Sequence, residues 1–364
     1  MHSAIIANRP SQQVYYYVGL EHIEKNTGRI LPEAKEEVIT TVKNKFVSGE
    51  ILYGKLRPNL NKVAMAHRDG VCSTDILVLR PSTRLNARYL YHFMLSSKFV
   101  KDMSANVSGA NLPRVSTRFL LEYTIPLPPF DEQTRIANML DKADALRHKD
   151  HELLQKYNKL AQSIFYEMFG DPVENEKKWS MTTLKELGSW RSGGTPARNV
   201  PAFFHGSIPW LSSGELDEMY VGASKEHITE EAVKSSAAKL VCPGSLLLGM
   251  YDTAALKSSI TTQELTCNQA IAFARLDDER CSTPFVYYYI QLAKEHLKRG
   301  QRGVRQKNLN LSMVKELPVI FPPLSMQRTF GETLAHLNSQ KSIVQEAAGK
   351  SAFLFESLLS AHYN

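Results

Sequence analysis

The sequence predicts an α/β protein, α+β in its mix of strand-rich and helical stretches. Two α/β domains are expected, separated by two long antiparallel helices that form a coiled coil, in an internal pseudo-two-fold repeat. Three observations predict it. Landmark residues recur at a nearly constant separation along the 364-residue chain. Each copy carries short β-type runs between turn residues, and each ends in one long proline-free stretch with seven-residue apolar spacing.

The repeat comes first. "EYTIPLPPFDEQTRI" (122–136) matches "ELPVIFPPLSMQRTF" (316–330), so that Pro128, Pro129 and Gln133 stand 194 residues before Pro322, Pro323 and Gln327. Gly49, Gly54 and Cys72 stand 195 residues before Gly244, Gly249 and Cys267. "RYLYHFML" (88–95) likewise matches "PFVYYYIQ" (284–291). Landmarks that hold one offset over so much chain mark two copies of one module.

The strand-rich parts follow from runs such as "GEILYGKL", "TDILVLRP", "GSLLLGMY" and "NQAIAFARL", bounded by Gly, Pro, Asn or Asp. "GEILYGKL" (49–56) also has most of a phosphate-binding loop, Gly-x4-Gly-Lys. Leu56 stands where that loop needs a Mg²⁺-binding hydroxyl, and Ile51-Leu52-Tyr53 prefers a buried strand to an open cradle. The second copy keeps both glycines and the apolar interior but puts Met250 in place of Lys55. The stretch is therefore a glycine-bounded strand, with Lys55 and Arg57 as added surface cations.

The helices are expected over 131–169 and 325–361. The Pro-Pro pairs mark their starts, and Gly170 with Pro172 ends the first. In the first helix, Ile136, Ala143, Tyr157 and Ile164 fall on one seven-residue series, which Asp150 interrupts. Met139, Leu146, Leu153 and Leu160 form the companion row. In the second, Phe330, Leu337, Val344 and Leu358 are spaced by sevens, with Ala347 and Leu354 beside them. A narrow seam requires a partner helix, either the other copy's or one from a second chain. The resulting divisions are 1–128 and 173–322 for the domains, and 129–172 and 323–364 for the helices. At 1.5 Å per residue each helix runs on the order of 55–60 Å. Paired antiparallel, they would hold a domain at each end, a geometry that suits a bipartite duplex site.

Composition is that of an ordinary globular chain, 43% hydrophobic and 22% charged. No apolar stretch is long enough to span a bilayer, and the N-terminus lacks a signal peptide's basic head and apolar run. Cys72, Cys242, Cys267 and Cys281 have no zinc spacing and read as buried, reduced thiols of a cytoplasmic protein. A net charge of +7 and a pI near 9.0 favour a polyanionic partner. "KEHLKRGQRGVRQKNLN" (294–310) concentrates six of the cations against Glu295, and its two glycines predict a loop.

Chemistry of its own is absent from the motifs. "LPPF" (127–130) resembles the Asp/Asn-Pro-Pro-Phe/Tyr signature of amino-methyltransferases, but Leu127 cannot accept a hydrogen bond from an amine. No glycine-rich loop supports a cofactor pocket. His148 and His151, one turn apart, read as outward-facing rather than as metal ligands.

Taken in order, these motifs resemble the specificity (S) subunit of type I restriction–modification systems. "WSMTTLKELGSWRSGGTPARNVPAFFHGSIPWLSSGELD" (179–217) is similar to the opening of a target recognition domain, through Trp179, Leu187-Gly188, Gly193-Gly194-Thr195-Pro196 and Ile208-Pro209-Trp210-Leu211. "SSAAKLVCPGSLLLG" and "KFVSGEILYGKLRP" are similar to its core strand, and "IPLPPFDEQTRI" to the segment entering the spacer helix. The resemblance implies a non-catalytic subunit without a cofactor, whose two domains each read half of a split duplex DNA site. It also implies helices that bind two methyltransferase subunits, with restriction subunits joining the complex. An assembly scaffold and a degenerate methyltransferase are the competing classes.

On this reading, Lys and Arg that can neutralise phosphates and polar side chains that can read base edges are the candidate DNA contacts. In the second domain these are Arg191, Thr195, Arg198, Lys298, Arg302, Arg305, Gln306, Lys307 and Asn308; in the first, Lys55, Arg57, Asn59, Lys62, Asn111 and Arg114. One departure stands out. The first copy has no counterpart of Trp179–Pro196, since the offset places that segment at or before residue 1. The first domain is expected to lack its opening strand and Gly-Thr-Pro loop, through truncation or because that start is supplied differently.

Overall fold

A computed structural model describes residues 14–109, 111–251, 254–300 and 308–363. They fall into two compact units, one from Met1–Leu153 with Val344–Asn364 and one from Leu154–Ile343.

In the first unit, β1 (Val14–Val18), β2 (Glu36–Val38), β3 (Asn44–Phe46) and β6 (Gly70–Cys72) form a sheet in the order β2-β1-β6-β3. β1 and β6 run parallel, Val18 opposite Cys72. β4 (Ile51–Gly54) is the centre of an antiparallel sheet between β5 (Val63–Met65) and β7 (Ile76–Leu79). All four β4 residues are buried, so "GEILYGKL" is a central strand; Gly49 supplies the turn into it at φ 87°. α1 (Ala87–Leu95) and α2 (Ser97–Ala105) follow, then the short ribbon β8 (Val107–Ser108) and β9 (Arg114–Val115), and α3 (Thr117–Glu122). α1 begins at Asn86, whose side chain accepts from the backbone N–H of Arg88 and Tyr89.

α4 (Phe130–Phe169) and its later counterpart α9 (Leu324–Tyr363) are each 40 residues long. In the second unit, β10 (Met181–Thr183), α5 (Leu184–Leu187) and β11 (Arg191–Ser192) open the domain. β12 (Ile208–Leu211), β13 (Tyr220–Val221), β14 (Glu226–Ile228) and α6 (Glu230–Lys234) come next. β15 (Leu246–Gly249), β16 (Ser258–Thr261), β17 (Thr266–Cys267) and β18 (Ile271–Ala274) complete the sheets. α7 (Thr283–Gly300), α8 (Leu311–Lys315) and β19 (Pro318–Ile320) lead into α9.

The topology repeats. β12 pairs parallel with β17 as β1 does with β6, and β15 lies between β16 and β18 as β4 lies between β5 and β7. Cys72 and Cys267 occupy equivalent buried places, and burial pushes each thiol up to about 12. Cys242 departs from expectation: it is exposed, on a loop segment before β15. The 294–310 segment is also more regular than its glycines suggest, because α7 continues through Lys294 and Lys298 to Gly300.

The repeated glutamine fastens each long helix to its own domain. Gln133 is buried; its Oε1 accepts from the Asn86 N–H at 2.8 Å, and its Nε2 donates to the carbonyls of Pro128 and Arg84 at 2.9 and 3.1 Å. Gln327, also buried, accepts from the Ser282 N–H at 3.1 Å and donates to the Pro322 carbonyl at 2.8 Å. One amide thus ties the proline corner to the start of α1 or α7 in each copy.

Within each unit a stretch of α4 packs against a stretch of α9, but on a different seam from that expected. In the first unit Ile136, Ala137, Leu140 and Ala143 join Phe355, Leu359 and Tyr363 in one core. Arg147 stacks on Phe355 at 4.5 Å, and Asp150 accepts from the Ser351 hydroxyl at 2.7 Å, so the pairing is antiparallel. In the second unit Ala161, Phe165 and Phe169 join Phe330 and Leu334. The row that accompanies Ile136 and Ala143 is therefore Leu140, Arg147 and Ala161, one residue further on than the expected row. Met139 is half-buried, and Leu146, Leu153 and Leu160 are exposed at 47%, 41% and 46%. Tyr157 and Ile164 are half-buried. On α9, Phe330 is buried, Leu337, Val344 and Leu358 are half-buried, and Ala347 and Leu354 are exposed. The helix faces decide this: Ile136, Ala137, Leu140 and Ala143 meet Phe355 and Leu359, and Ala161 and Phe165 meet Phe330, which leaves Leu146, Leu153 and Leu160 on the outer side. Asp150 does not merely interrupt the series; it is held by Ser351.

His148 is not solvated either. It is half-buried, with Nε2 3.2 Å from the Thr27 carbonyl and Nδ1 3.6 Å from Asp144, and burial lowers its pKa. His151 is exposed. Among the described residues no group of His, Cys, Asp and Glu has the arrangement to hold a metal, and no helix is long and apolar enough to cross a membrane.

Gln327→Met removes one acceptor and one donor from a buried corner, and unfolding free energy from urea denaturation is expected to fall by roughly 2–4 kcal/mol. Leu140→Ala is expected to cost about 2–5 kcal/mol, whereas Leu153→Ala stays within about 0.5 kcal/mol. The reverse order would restore the seam expected from the heptads.

Candidate nucleic-acid interface

In the first unit the chain leaving β4 lies against the segment that enters α3. Val115 donates its N–H to the Lys55 carbonyl at 3.1 Å, and the Arg57 N–H donates to the Pro113 carbonyl at 2.8 Å. Lys55 also donates its N–H to the Asp75 carbonyl at 2.9 Å. This ladder brings Lys55, Arg57 and Arg114 together, with Asn59 and Asn111 exposed on the same two segments. Asp75 is the carboxylate among them, 3.2 Å from Arg114 Nε. Arg57 is exposed and left-handed, at φ 51°; Asn61, beyond the short turn Pro58–Leu60, is also left-handed at φ 38° but buried. A non-glycine residue held there is strained, and such strain clusters at functional loops.

Lys62 does not join this group. Its Nζ donates to the Leu20 carbonyl at 2.5 Å, and burial lowers its pKa, so it braces the turn from inside.

The second unit repeats the arrangement: Leu309 donates its N–H to the Met250 carbonyl at 2.7 Å, the equivalent of Val115 on Lys55. Asn308 and Tyr251 are exposed there, Tyr251 to 39%. Arg302, Arg305, Gln306 and Lys307 lie outside the described residues. Lys298 lies on α7 with 19% of its side chain exposed, 3.4 Å from Glu295.

A second group forms around the glycine pair. A Cβ on Gly193 would come within 2.2 Å of the Cys267 carbonyl oxygen, and one on Gly194 within 2.2 Å of Ala237 backbone. The loop is therefore pressed onto β17, and the Trp210 indole donates to the Gly194 carbonyl at 3.0 Å. On top of it the Thr195 hydroxyl bonds the exposed Gln269 side chain. Gln269 gave no signal in the sequence because its partner is 74 positions away. Arg191 is exposed on the edge strand β11. Arg198 is engaged within the fold: both its terminal nitrogens reach Glu226 at 2.8 Å, and its guanidinium lies 4.5 and 4.7 Å from the Phe204 and Trp210 rings. The pair raises the Arg198 pKa and lowers that of Glu226.

Known proteins place this geometry. The type I restriction modification DNA specificity domain matches residues 9–157 and 176–347. The EcoR124I/EcoR124II specificity subunit of Escherichia coli is 32% identical over 281 residues, which is 71% of this chain and 65% of that protein. The EcoDI specificity subunit, also of E. coli, is 32% identical over 41% of this chain and 34% of its own length. This chain thus spans between a third and two thirds of those two relatives. A type I S subunit crystal structure from M. genitalium aligns with a TM-score of 0.60 at 15% identity, over 98% of this chain and 90% of that one, and shows the same fold. A chain from a study of type I R-M assembly and conformational transition aligns at 0.52 and 18% identity, over 96% and 91%. Two matched segments that together cover most of the sequence make this chain a member of the type I restriction–modification DNA specificity family.

Proposed function

We propose that this chain is the non-catalytic sequence-specificity subunit of a cytoplasmic type I restriction–modification complex, reading a split duplex DNA site with one half-site per domain. The observation that carries this reading is the cationic, amide-bearing cluster of Lys55, Arg57, Asn59, Asn111 and Arg114, held by backbone hydrogen bonds between two segments. The same ladder recurs at Met250 and Leu309. Lysine and arginine neutralise phosphates and set register, and amides read base edges in the major groove. In the second domain Arg191, Thr195 with Gln269, Asn308 and the cations Arg302, Arg305 and Lys307 with Gln306 take these roles. Lys298 and Arg198 support them from within the fold.

Partner docking follows from the helices. Leu146, Leu153 and Leu160 are exposed seven residues apart on α4, and Ile343, Phe353 and Leu354 are exposed on α9, Phe353 to 75%. Apolar side chains of this size on a helix surface mark a protein contact, and methyltransferase subunits, two per chain, are its proposed occupants. Methyl transfer, and restriction in the full complex, belong to those partners.

Replacing Arg57 and Arg114 together by Ala is expected to weaken binding to the cognate duplex in the presence of methyltransferase subunits. The slope of log affinity against log salt should fall by roughly 0.9 for each phosphate that is no longer neutralised. Fluorescence anisotropy across a salt series measures both, and an unchanged slope would remove this cluster from the interface. Asn111→Ala should instead relax base preference by about 1–3 kcal/mol at one position. Sequencing methylated adenines in cells that carry the intact system reads out the split motif directly.

A further inference from the structure

The repeat gives both units the same helix corner and fills it differently. In the first unit the Arg147 guanidinium lies 4.5 Å from the Phe355 ring, and it donates to the Thr27 carbonyl at 3.0 Å and to Asp144 at 3.1 Å. His92 is fully buried, with its ring 6.0 Å from that of Phe355, and Tyr91 beside it is 6% exposed. A planar cation is thus enclosed between a ring, a carbonyl and a carboxylate.

The offset that relates Gln133 to Gln327 carries Arg147 onto Lys341, Asp144 onto Asn338 and Phe355 onto Ala161. Where the first unit has a phenyl ring, a guanidinium and a carboxylate, the second has a methyl group, an ammonium and an amide. Packed neighbours close only partly over a missing ring. The second unit has a pocket of about 400 Å³ there, lined by Ala161, Leu334, Asn338 and Lys341 among others. Tyr157, Tyr287 and Tyr288 add three phenol rings to its wall. Tyr287 and Tyr288, matched to Tyr91 and His92 by the likeness of 88–95 to 284–291, are half-buried rather than buried. Burial pushes both phenols up to about 12, and the Glu218 carboxylate adds to the effect on Tyr287, so the rings stay neutral at physiological pH.

The lining is rich in hydrogen-bond acceptors. Glu218 is exposed at its rim. Asn338 spends its Nδ2 on the Met219 sulfur at 3.1 Å, and Gln291 its Nε2 on the Ser258 hydroxyl, which leaves both side-chain oxygens as acceptors. A planar group that only donates, and whose charge is attracted to ring faces, complements such a wall. We infer that this pocket binds a small planar organic cation of the amidinium or guanidinium class, in the place that Arg147 holds in the first unit. The cation lies among the phenol rings, and its N–H groups meet Glu218, Asn338 and Gln291. Lys341, a cation of the lining, opposes the ligand's charge. None of the lining residues is among the candidate DNA contacts, so the inference stands apart from the DNA reading.

The test titrates benzamidine into the full chain by isothermal calorimetry. Saturable binding is expected, with benzamide, its neutral isostere, at least about tenfold weaker. Glu218→Gln, a change at an exposed position, should weaken binding roughly two- to fivefold, and Lys341→Gln should tighten it. Ala161→Phe, which supplies the ring found in the first unit, should abolish it. On photolysis with the full chain, 4-azidobenzamidine should label residues within 157–162, 217–219, 287–292 or 334–341, a readout that does not depend on the Ala161→Phe chain folding. Absence of saturable binding, equal affinity for benzamide, indifference to Glu218→Gln, weakening by Lys341→Gln, full binding by a folded Ala161→Phe chain, or labelling confined to other segments would each overturn the proposal.

Discussion

A single buried amide governs how each long helix leaves its domain. Pro128-Pro129 and Pro322-Pro323 interrupt backbone hydrogen bonding at the corner, because proline has no N–H to give. Gln133 and Gln327 restore it by bonding the proline carbonyl on one side and the start of α1 or α7 on the other. A buried amide left unsatisfied is costly, so the corner has one low-energy geometry. α3 and α8 end just before these corners, and the segments entering them hold Arg114 and Asn308. The direction of the helix and the placement of the segment that carries Arg114 or Asn308 therefore share one anchor in each unit.

Much of this was readable in the sequence, for physical reasons. Proline pairs and glycine-bounded apolar runs are local signals, and the expected helices over 131–169 and 325–361 lie within one or two residues of Phe130–Phe169 and Leu324–Tyr363. The seam was less legible because seven-residue apolar spacing selected Met139, Leu146, Leu153 and Leu160, whereas the row packed beside Ile136 and Ala143 is Leu140, Arg147 and Ala161, in which a cation breaks the apolar signal. Long-range polar pairing was not legible at all: nothing local to Arg198 points to Glu226, and nothing local to Lys62 points to the Leu20 carbonyl. Net charge says nothing of which cations are free, and the fold engages Lys62 and Arg198 internally.

The two units share a core and differ at its rim. Val18 beside Cys72 and Leu211 beside Cys267 show the same parallel pairing at the centre of each copy. In the first unit that rim exposes Leu121 to 53%, an apolar side chain at the surface.

Asp150 and Ser351 meet within a helix pairing whose other contacts are mostly apolar. Greasy surfaces alone accept several axial alignments, since one leucine or alanine substitutes for another a turn away. Sliding α9 by about 5.4 Å, one turn, would set the carboxylate against Phe355 instead of a hydroxyl. The pair works as a vernier stop, choosing one notch where oil would allow slippage.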